Sequence, residues 1–175
     1  MIDSLLRSFD SLPPGWILIL GALLVPFLRG KVQATWLLIL PALSLYHLIR
    51  IPADHSLMLS FFDYTLTFVR VDKMSLLFGY IFCIAGFIGV LYSFHLRDTI
   101  QNFAVLIYAG SALGAVFAGD LITLFLYWEG TAISSVFLIW ARRSKKSYHA
   151  GMRYLIVQVA SGVILLAGVL LHFRD

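Results

Sequence analysis

Hydrophobic positions along this chain fall into long apolar runs separated by short polar segments. A membrane-spanning helix needs about 20 consecutive apolar residues, and six runs reach or approach that length. They cover residues 14–28, 32–51, 74–94, 101–118, 121–141 and 148–173. Because the runs are continuous rather than alternating, they predict helices and not a membrane barrel. We therefore expect an all-α integral membrane protein with about six transmembrane helices, forming a single membrane domain over residues 1–175.

The segment 52–73 is too polar to span a membrane and is predicted to form a loop outside it. Within this loop, Tyr64, Leu66 and Phe68 alternate with Thr65, Thr67 and Val69. A period of two is typical of a strand, and an apolar stretch at 57–61 precedes it. The pattern predicts either a short β-hairpin on the outer surface or an irregular loop, and the sequence leaves both open.

Composition supports the membrane class. Hydrophobic residues make up 61% of the chain and charged residues 13%, whereas soluble domains carry about 25% charged residues. The net charge of +4 does not indicate nucleic-acid binding, because the basic residues lie in short loops between apolar runs. That distribution is typical of topology signals.

Loop charge predicts the orientation in a cell (inner) membrane. Eight of the thirteen Lys and Arg residues fall on the side that holds the loops after the first, third and fifth predicted helices. These eight are Arg29, Lys31, Arg97, Arg142, Arg143, Lys145, Lys146 and Arg153. By the positive-inside rule this side is cytoplasmic, so both termini and the 52–73 loop are predicted to lie outside. The first residues, 1–12, lack the basic cluster of a signal peptide, and the first apolar run is expected to remain as a helix.

Small residues on two predicted helices indicate close helix packing. Ser75, Gly79, Cys83 and Gly86 form one stripe on the third helix. Gly110 and Gly114 form a GxxxG pattern on the fourth. Small side chains let helix backbones approach each other in lipid, so both patterns are structural and say nothing about substrate.

Glu129 is the only glutamate of the chain, and it falls in the middle of the fifth predicted helix. It lies about 12 Å along that helix from Leu121, at 1.5 Å per residue. An acid at this depth costs several kcal/mol unless it is neutral, paired or hydrated. We therefore expect Glu129 to transfer protons; the alternative is a structural hydrogen-bonding residue. Its expected polar neighbours are Thr131, Ser134 and Ser135 on the same helix and Tyr154, Gln158 and Ser161 on the sixth.

No other motif in the sequence indicates catalysis. The five histidines show no metal-ligand spacing, and there is no GxSxG, HExxH or P-loop pattern. Cys83 is a single cysteine within an apolar run, which fits helix packing. We expect no metal, no cofactor and no catalytic activity from this chain alone.

Several segments together resemble one family. The stretch 71–78, VDKMSLLF, resembles the VDGLSLLF-type entry to the third helix of antiporter-like subunits, except that Lys73 stands in the glycine position. Leu91-Tyr92-Ser93, Gly119-Asp120-Leu121 and the 125–129 stretch FLYWE also match. The family is that of the Mrp-type multisubunit Na⁺/H⁺ antiporters and the related ion-pumping subunits of complex I and membrane-bound hydrogenases. The resemblance covers about residues 65–170 and corresponds to the six-helix N-terminal portion of such a subunit.

The resemblance implies a role for Glu129. In that family the glutamate of the fifth helix pairs with a lysine on the seventh helix and drives proton movement. A seventh helix is absent from this sequence, so a split or truncated subunit is implied, with a partner subunit supplying the buried lysine and the remaining antiporter helices.

Three functions follow as hypotheses. The first is a component of a multisubunit membrane complex that translocates H⁺, Na⁺ or both, in a redox-coupled complex or an antiporter. The second is a non-conducting structural or assembly subunit of such a complex. The third, an intramembrane enzyme based on Glu129, lacks an accompanying nucleophile or metal set in the sequence.

Overall fold

A computed structural model describes residues 12–52, 55–61, 64–93 and 98–172. It contains six α-helices and a two-stranded sheet within these ranges. In chain order the elements are α1 (Trp16–Leu24), a 3-10 turn (Val25–Phe27), α2 (Gly30–Arg50), β1 (Ser56–Phe61), β2 (Tyr64–Arg70), α3 (Lys73–Ser93), α4 (Thr99–Val116), α5 (Leu121–Trp140) and α6 (Lys145–His172). The described fold is a helix bundle with a hairpin at one end, which confirms the predicted fold class.

Five of these helices, α2 to α6, are long and apolar enough to cross a membrane. The first predicted span is shorter, because α1 and the 3-10 turn together cover Trp16–Phe27. Pro26 lies in that turn, and Gly30 with φ +61 follows it, so the chain changes direction there. The predicted ends at Phe94 and Phe173 lie outside the described residues, as do the loop charges at positions 1–11, 54, 63, 97, 174 and 175.

Aspartate caps fix where three of the helices begin. The Ser75 backbone N–H donates to Asp72 Oδ1 at 2.7 Å, and the Asp72 N–H donates to Ser75 Oγ at 2.8 Å. At the start of α5, the Thr123 N–H donates to Asp120 Oδ1 at 2.7 Å. Asp98 accepts from two N–H groups in the first turn of α4. These bonds satisfy N–H groups that the first helical turn leaves without partners.

The polar loop does form a β-hairpin, as one of the two sequence alternatives predicted. β1 and β2 pair antiparallel from Ser56↔Arg70 to Phe61↔Tyr64, with an irregularity at Leu57/Met58. The backbone of β2 also bonds to the α4–α5 connection: the Arg70 N–H donates to Phe117 O at 2.8 Å, and the Gly119 N–H donates to Thr67 O at 3.1 Å. The hairpin is therefore anchored to the end of the bundle from which α5 starts.

Glycines bring α4 close to α1 and α5. A Cβ added at Gly15 would overlap the backbone oxygen of Gly110, and one added at Gly114 would overlap the Tyr127 ring. The GxxxG pattern on α4 therefore marks real packing positions. On α3, Ser75, Gly79 and Cys83 are buried, but Gly86 has open space beside it, so the predicted stripe packs only over its first three members.

The last helix, α6, packs against α5 and leaves most of its apolar surface exposed. Only 11% of its most apolar window is buried. Ile156, Val163 and Ile164 are each more than 60% exposed. Exposed apolar surface of this kind is compatible with lipid or with neighbouring membrane helices, but not with water.

Candidate functional site

Glu129 lies near the middle of α5, on the side that faces α6. Its carboxyl group lies against Gly162, where a Cβ would overlap Oε1 and come within 3.0 Å of Cδ. Only a residue without a side chain leaves that space free. Gly162 is itself buried. The contact therefore places the acid inside the α5–α6 interface at membrane depth.

The unusual feature of this contact is an unsatisfied oxygen. Glu129 Oε1 is buried and has no hydrogen-bond partner among the residues that the structure describes. Nearly all buried polar atoms in native proteins have a partner. A buried acceptor without a donor costs about 1–3 kcal/mol, and more if it is charged. An atom of this kind calls for a ligand: a proton, a water molecule or a cation.

The predicted neighbours on α5 direct their hydroxyl groups elsewhere. Thr131 Oγ1 donates to Trp128 O, Ser134 Oγ to Gly130 O and Ser135 Oγ to Ala132 O, each at 2.7 Å. Hydroxyl groups in membrane helices commonly bond to backbone carbonyls three or four residues earlier. Within the described ranges, none of these three serves as a donor to Glu129.

The predicted neighbours on α6 are partly brought into the site. The Ser135 proton is already donated to Ala132 O, so the Tyr154 hydroxyl donates to Ser135 Oγ at 3.0 Å, which ties α5 to α6 about two turns from Glu129. Gln158 lies one turn before Gly162, and Ser161 lies beside it in sequence. Gly162 itself is the site residue that sequence reasoning missed. Its spacing could have identified it: Gly162 follows Gln158 by four residues and Tyr154 by eight. It therefore lies on the helix face that carries the predicted polar residues.

Tyr127 holds the opposite face of α5. Trp16 Nε1 donates to Tyr127 Oη at 3.0 Å, and the Phe68 ring lies about 6 Å from both rings, at 6.0 and 5.9 Å. Residues two apart on a helix point in different directions. The same turn of α5 thus presents Tyr127 to α1 and the hairpin, and Glu129 to α6.

A third face of this turn contacts α4. A Cβ added at Gly130 would lie 2.6 Å from Ser111 Oγ, and Ser111 is buried. Around Glu129, helix α5 therefore packs against α1 and the hairpin on one side and against α4 on another. The carboxyl group of Glu129 extends toward α6, the more exposed helix. No group of three or more His, Cys, Asp or Glu side chains arranged to hold a metal ion occurs in the part of the chain that the structure describes.

Comparison with known proteins connects this architecture to one group. Residues 118–174 match the family described as NADH:quinone oxidoreductase/Mrp antiporter, TM. A Na⁺/H⁺ antiporter subunit from Alkalihalophilus pseudofirmus is 36% identical over 108 residues, which cover 57% of this chain and 13% of that protein. Its counterpart from Staphylococcus haemolyticus, also named as a Na⁺/H⁺ antiporter subunit, is 36% identical over 107 residues, covering 58% and 13%.

A solved structure extends the similarity to most of the fold. A chain of the membrane-bound sulfane sulfur reductase, an archaeal respiratory membrane complex, superposes with a TM-score of 0.78 and 22% sequence identity. The match covers 90% of this chain and 26% of the other.

These matches confirm the resemblance to antiporter-like subunits, and the chain is a multi-pass membrane protein with an antiporter-like fold. The relatives are named as subunits, and the matched stretch spans only 13% of the length of the two antiporter proteins.

Proposed function

We propose that this chain is a component of a multisubunit membrane complex that translocates H⁺, Na⁺ or both, and that Glu129 exchanges protons in that process. The observation that carries the proposal is the buried, unpartnered Oε1 of Glu129 at the α5–α6 interface. The named Na⁺/H⁺ antiporter relatives support the ion class.

An ionised carboxyl group is unfavourable in a medium of low polarity. Placing an ionised acid at the centre of a membrane helix costs ~2.5–3.5 kcal/mol on translocon-insertion scales. The described residues place no donor on the buried oxygen of Glu129, so a bound proton, a water molecule or a cation from outside this part of the chain is needed to stabilise it. A carboxyl group that alternates between the protonated and the ionised state can load a proton and release it.

The missing cation is proposed to come from a partner subunit. The exposed apolar surface of α6, which includes Val163 beside Gly162, leaves room for further membrane helices on that side. A lysine carried by such a helix would reach the neighbourhood of Glu129 without crossing the packed faces of α5. In this account a neighbouring membrane helix supplies the buried lysine that pairs with Glu129.

One observation favours the second candidate, a non-conducting structural or assembly subunit. The hydroxyl groups of Thr131 and Ser134 bond to their own helix backbone. They therefore do not extend a polar path away from Glu129. In a purely structural subunit, Glu129 would serve only to hold a neighbouring subunit.

The experiment that separates the two functions replaces Glu129 by Gln in the assembled complex. The change keeps the size of the side chain and removes its titrating charge. Ion translocation predicts that the complex assembles and that transport is lost. If Glu129 serves only assembly, the transport rate per assembled complex should be the same for the Gln variant as for the wild type.

A further inference from the structure

A lateral groove opens on the surface between α4 and α5, and its lining on α5 begins at Gly130, the residue that follows Glu129. It has a volume of about 470 Å³, and its walls include Ile100, Phe103 and Ile107 from α4, Ile133 and Phe137 from α5, and Pro26. Ile100, Ile133 and Phe137 are all exposed. An open apolar groove on a membrane helix pair lies at the depth of lipid acyl chains.

A second cavity, of about 320 Å³, lies where α5 ends and α6 begins. It is lined by Trp140, Arg143, Ser144, Lys145, Tyr148 and His149. The rings of Trp140 and Tyr148 stack with centroids 5.8 Å apart and planes 22° apart. Trp and Tyr rings beside basic residues are typical of the membrane–water interface, where headgroups lie. We call this cavity the basic cleft.

Two contacts place the basic cleft at the mouth of the groove. The ring of Phe137, which lines the groove, meets the ring of Trp140, which lines the cleft, at 5.8 Å. Arg143 Nη2 donates to Asp98 Oδ2 at 2.8 Å, and Asp98 caps the helix turn that carries Ile100. The groove and the basic cleft are therefore adjacent at this end of α5.

The cleft lies in a strongly basic segment, from which Arg143 and Lys145 line it. Five basic side chains lie between positions 142 and 153, and the sequence contains no acid from 130 to 174. Asp98 pairs with Arg143. Arg142, Lys145 and Lys146 are exposed, and no ion pair to any of them occurs within the described ranges. A negatively charged group would therefore be attracted to the cleft.

We propose that the groove and the basic cleft together bind one anionic phospholipid, with an acyl chain in the groove and the phosphate at Lys145 and its neighbours. Charge complementarity selects this occupant over an apolar partner helix, which would fill the groove but leave the cleft unneutralised. The apolar groove selects it over free phosphate. Neither Glu129 nor Gly162 lines the groove or the basic cleft, and lipid binding there does not depend on the proposed transport function.

The test measures lipids retained by the purified complex after exchange into nanodiscs of phosphatidylglycerol and phosphatidylcholine in equal amounts. Retained lipid per complex is quantified by mass spectrometry for the wild type and for K145Q/K146Q. The matched control is R29Q/K31Q, which removes two charges from the same predicted membrane side at residues that do not line the cleft. We expect K145Q/K146Q to lower phosphatidylglycerol retention roughly tenfold to thirtyfold, from about 1 kcal/mol per basic residue. The control should retain wild-type levels.

A second pair of variants tests the groove. I133W fills it, and I156W adds the same ring to an exposed position on α6 outside it. We expect only I133W to reduce phosphatidylglycerol retention. Equal retention of both lipids by the wild type, or equal losses in the paired variants, would overturn the site. A photo-crosslinker at position 133 that captures a protein instead of a lipid in the assembled complex would show that a partner helix fills the groove.

Discussion

The carboxyl group of Glu129 on α5 occupies the space that a side chain at Gly162 on α6 would fill. A substitution of Gly162 by Ala should therefore displace the carboxyl group while changing no charge. We expect complexes with G162A to assemble and to lose most of their ion transport, because proton transfer depends on the geometry of the acid.

The matched control for this prediction lies on the same helix. Gly168 has open space around it, so G168A tests the effect of an added methyl group and of higher helix propensity alone. Transport by G168A should match the wild type. If G162A and G168A transport equally well, the contact with Gly162 has no functional role.

The aromatic bond on the other face of α5 should contribute to stability rather than to transport. Y127F removes the hydroxyl group that accepts from Trp16 Nε1 and leaves that indole N–H without its partner. We expect a loss of about 1–3 kcal/mol in the free energy of unfolding, measured by thermal or denaturant unfolding in mild detergent. Y108F, which removes an exposed tyrosine hydroxyl on α4, should change stability little.

A double-mutant cycle makes the Tyr127 prediction specific. If the Trp16–Tyr127 bond is the cause, W16F and Y127F should be non-additive, and the double variant should be less destabilised than the sum of the two. If the losses in the free energy of unfolding are additive, the destabilisation comes from packing around each ring and not from the Trp16–Tyr127 bond.

Close packing at Gly114 gives a third prediction. A methyl group there would meet the rigid ring of Tyr127 on α5, so G114A should destabilise the protein by about 1–3 kcal/mol through overpacking. Gly89 on α3 has open space beside it, and G89A serves as the control. Equal unfolding midpoints for G114A and G89A would contradict the predicted α4–α5 packing.

The predicted orientation is tested by cysteine labelling. Ser60 in the hairpin and Lys146 at the start of α6 are both exposed, and the native Cys83 is buried. With both termini outside, S60C should react with an impermeant maleimide in intact cells, and K146C should react only after permeabilisation. The opposite pattern would reverse the orientation inferred from loop charge.

The sequence predicted those features that depend on local pattern. The alternation from Tyr64 to Val69 corresponds to β2. Glu129 lies near the middle of α5, because the apolar run predicted at 121–141 sets where that helix begins and ends. These features follow from hydrogen-bond geometry and hydrophobic spacing within a single segment.

Features that depend on how two helices are rotated against each other could not be predicted. The apolar runs of α5 and α6 face lipid on several sides, so their composition does not say which residues meet. The Glu129–Gly162 contact and the self-satisfied hydroxyl groups of Thr131 and Ser134 both depend on that rotation. The short first helix also differs from its predicted span, because the turn at Pro26 ends it early.

The most direct measurement of the central claim is the rate of ion-coupled proton movement in vesicles that contain equal amounts of wild-type, E129Q or E129D complex. Removing a proton-transferring group lowers a rate by roughly a hundredfold or more, so E129Q should fall to background, while E129D, which keeps the charge on a shorter side chain, should retain partial activity. Wild-type rates from fully assembled E129Q complex would contradict the claim and leave Glu129 with a structural role.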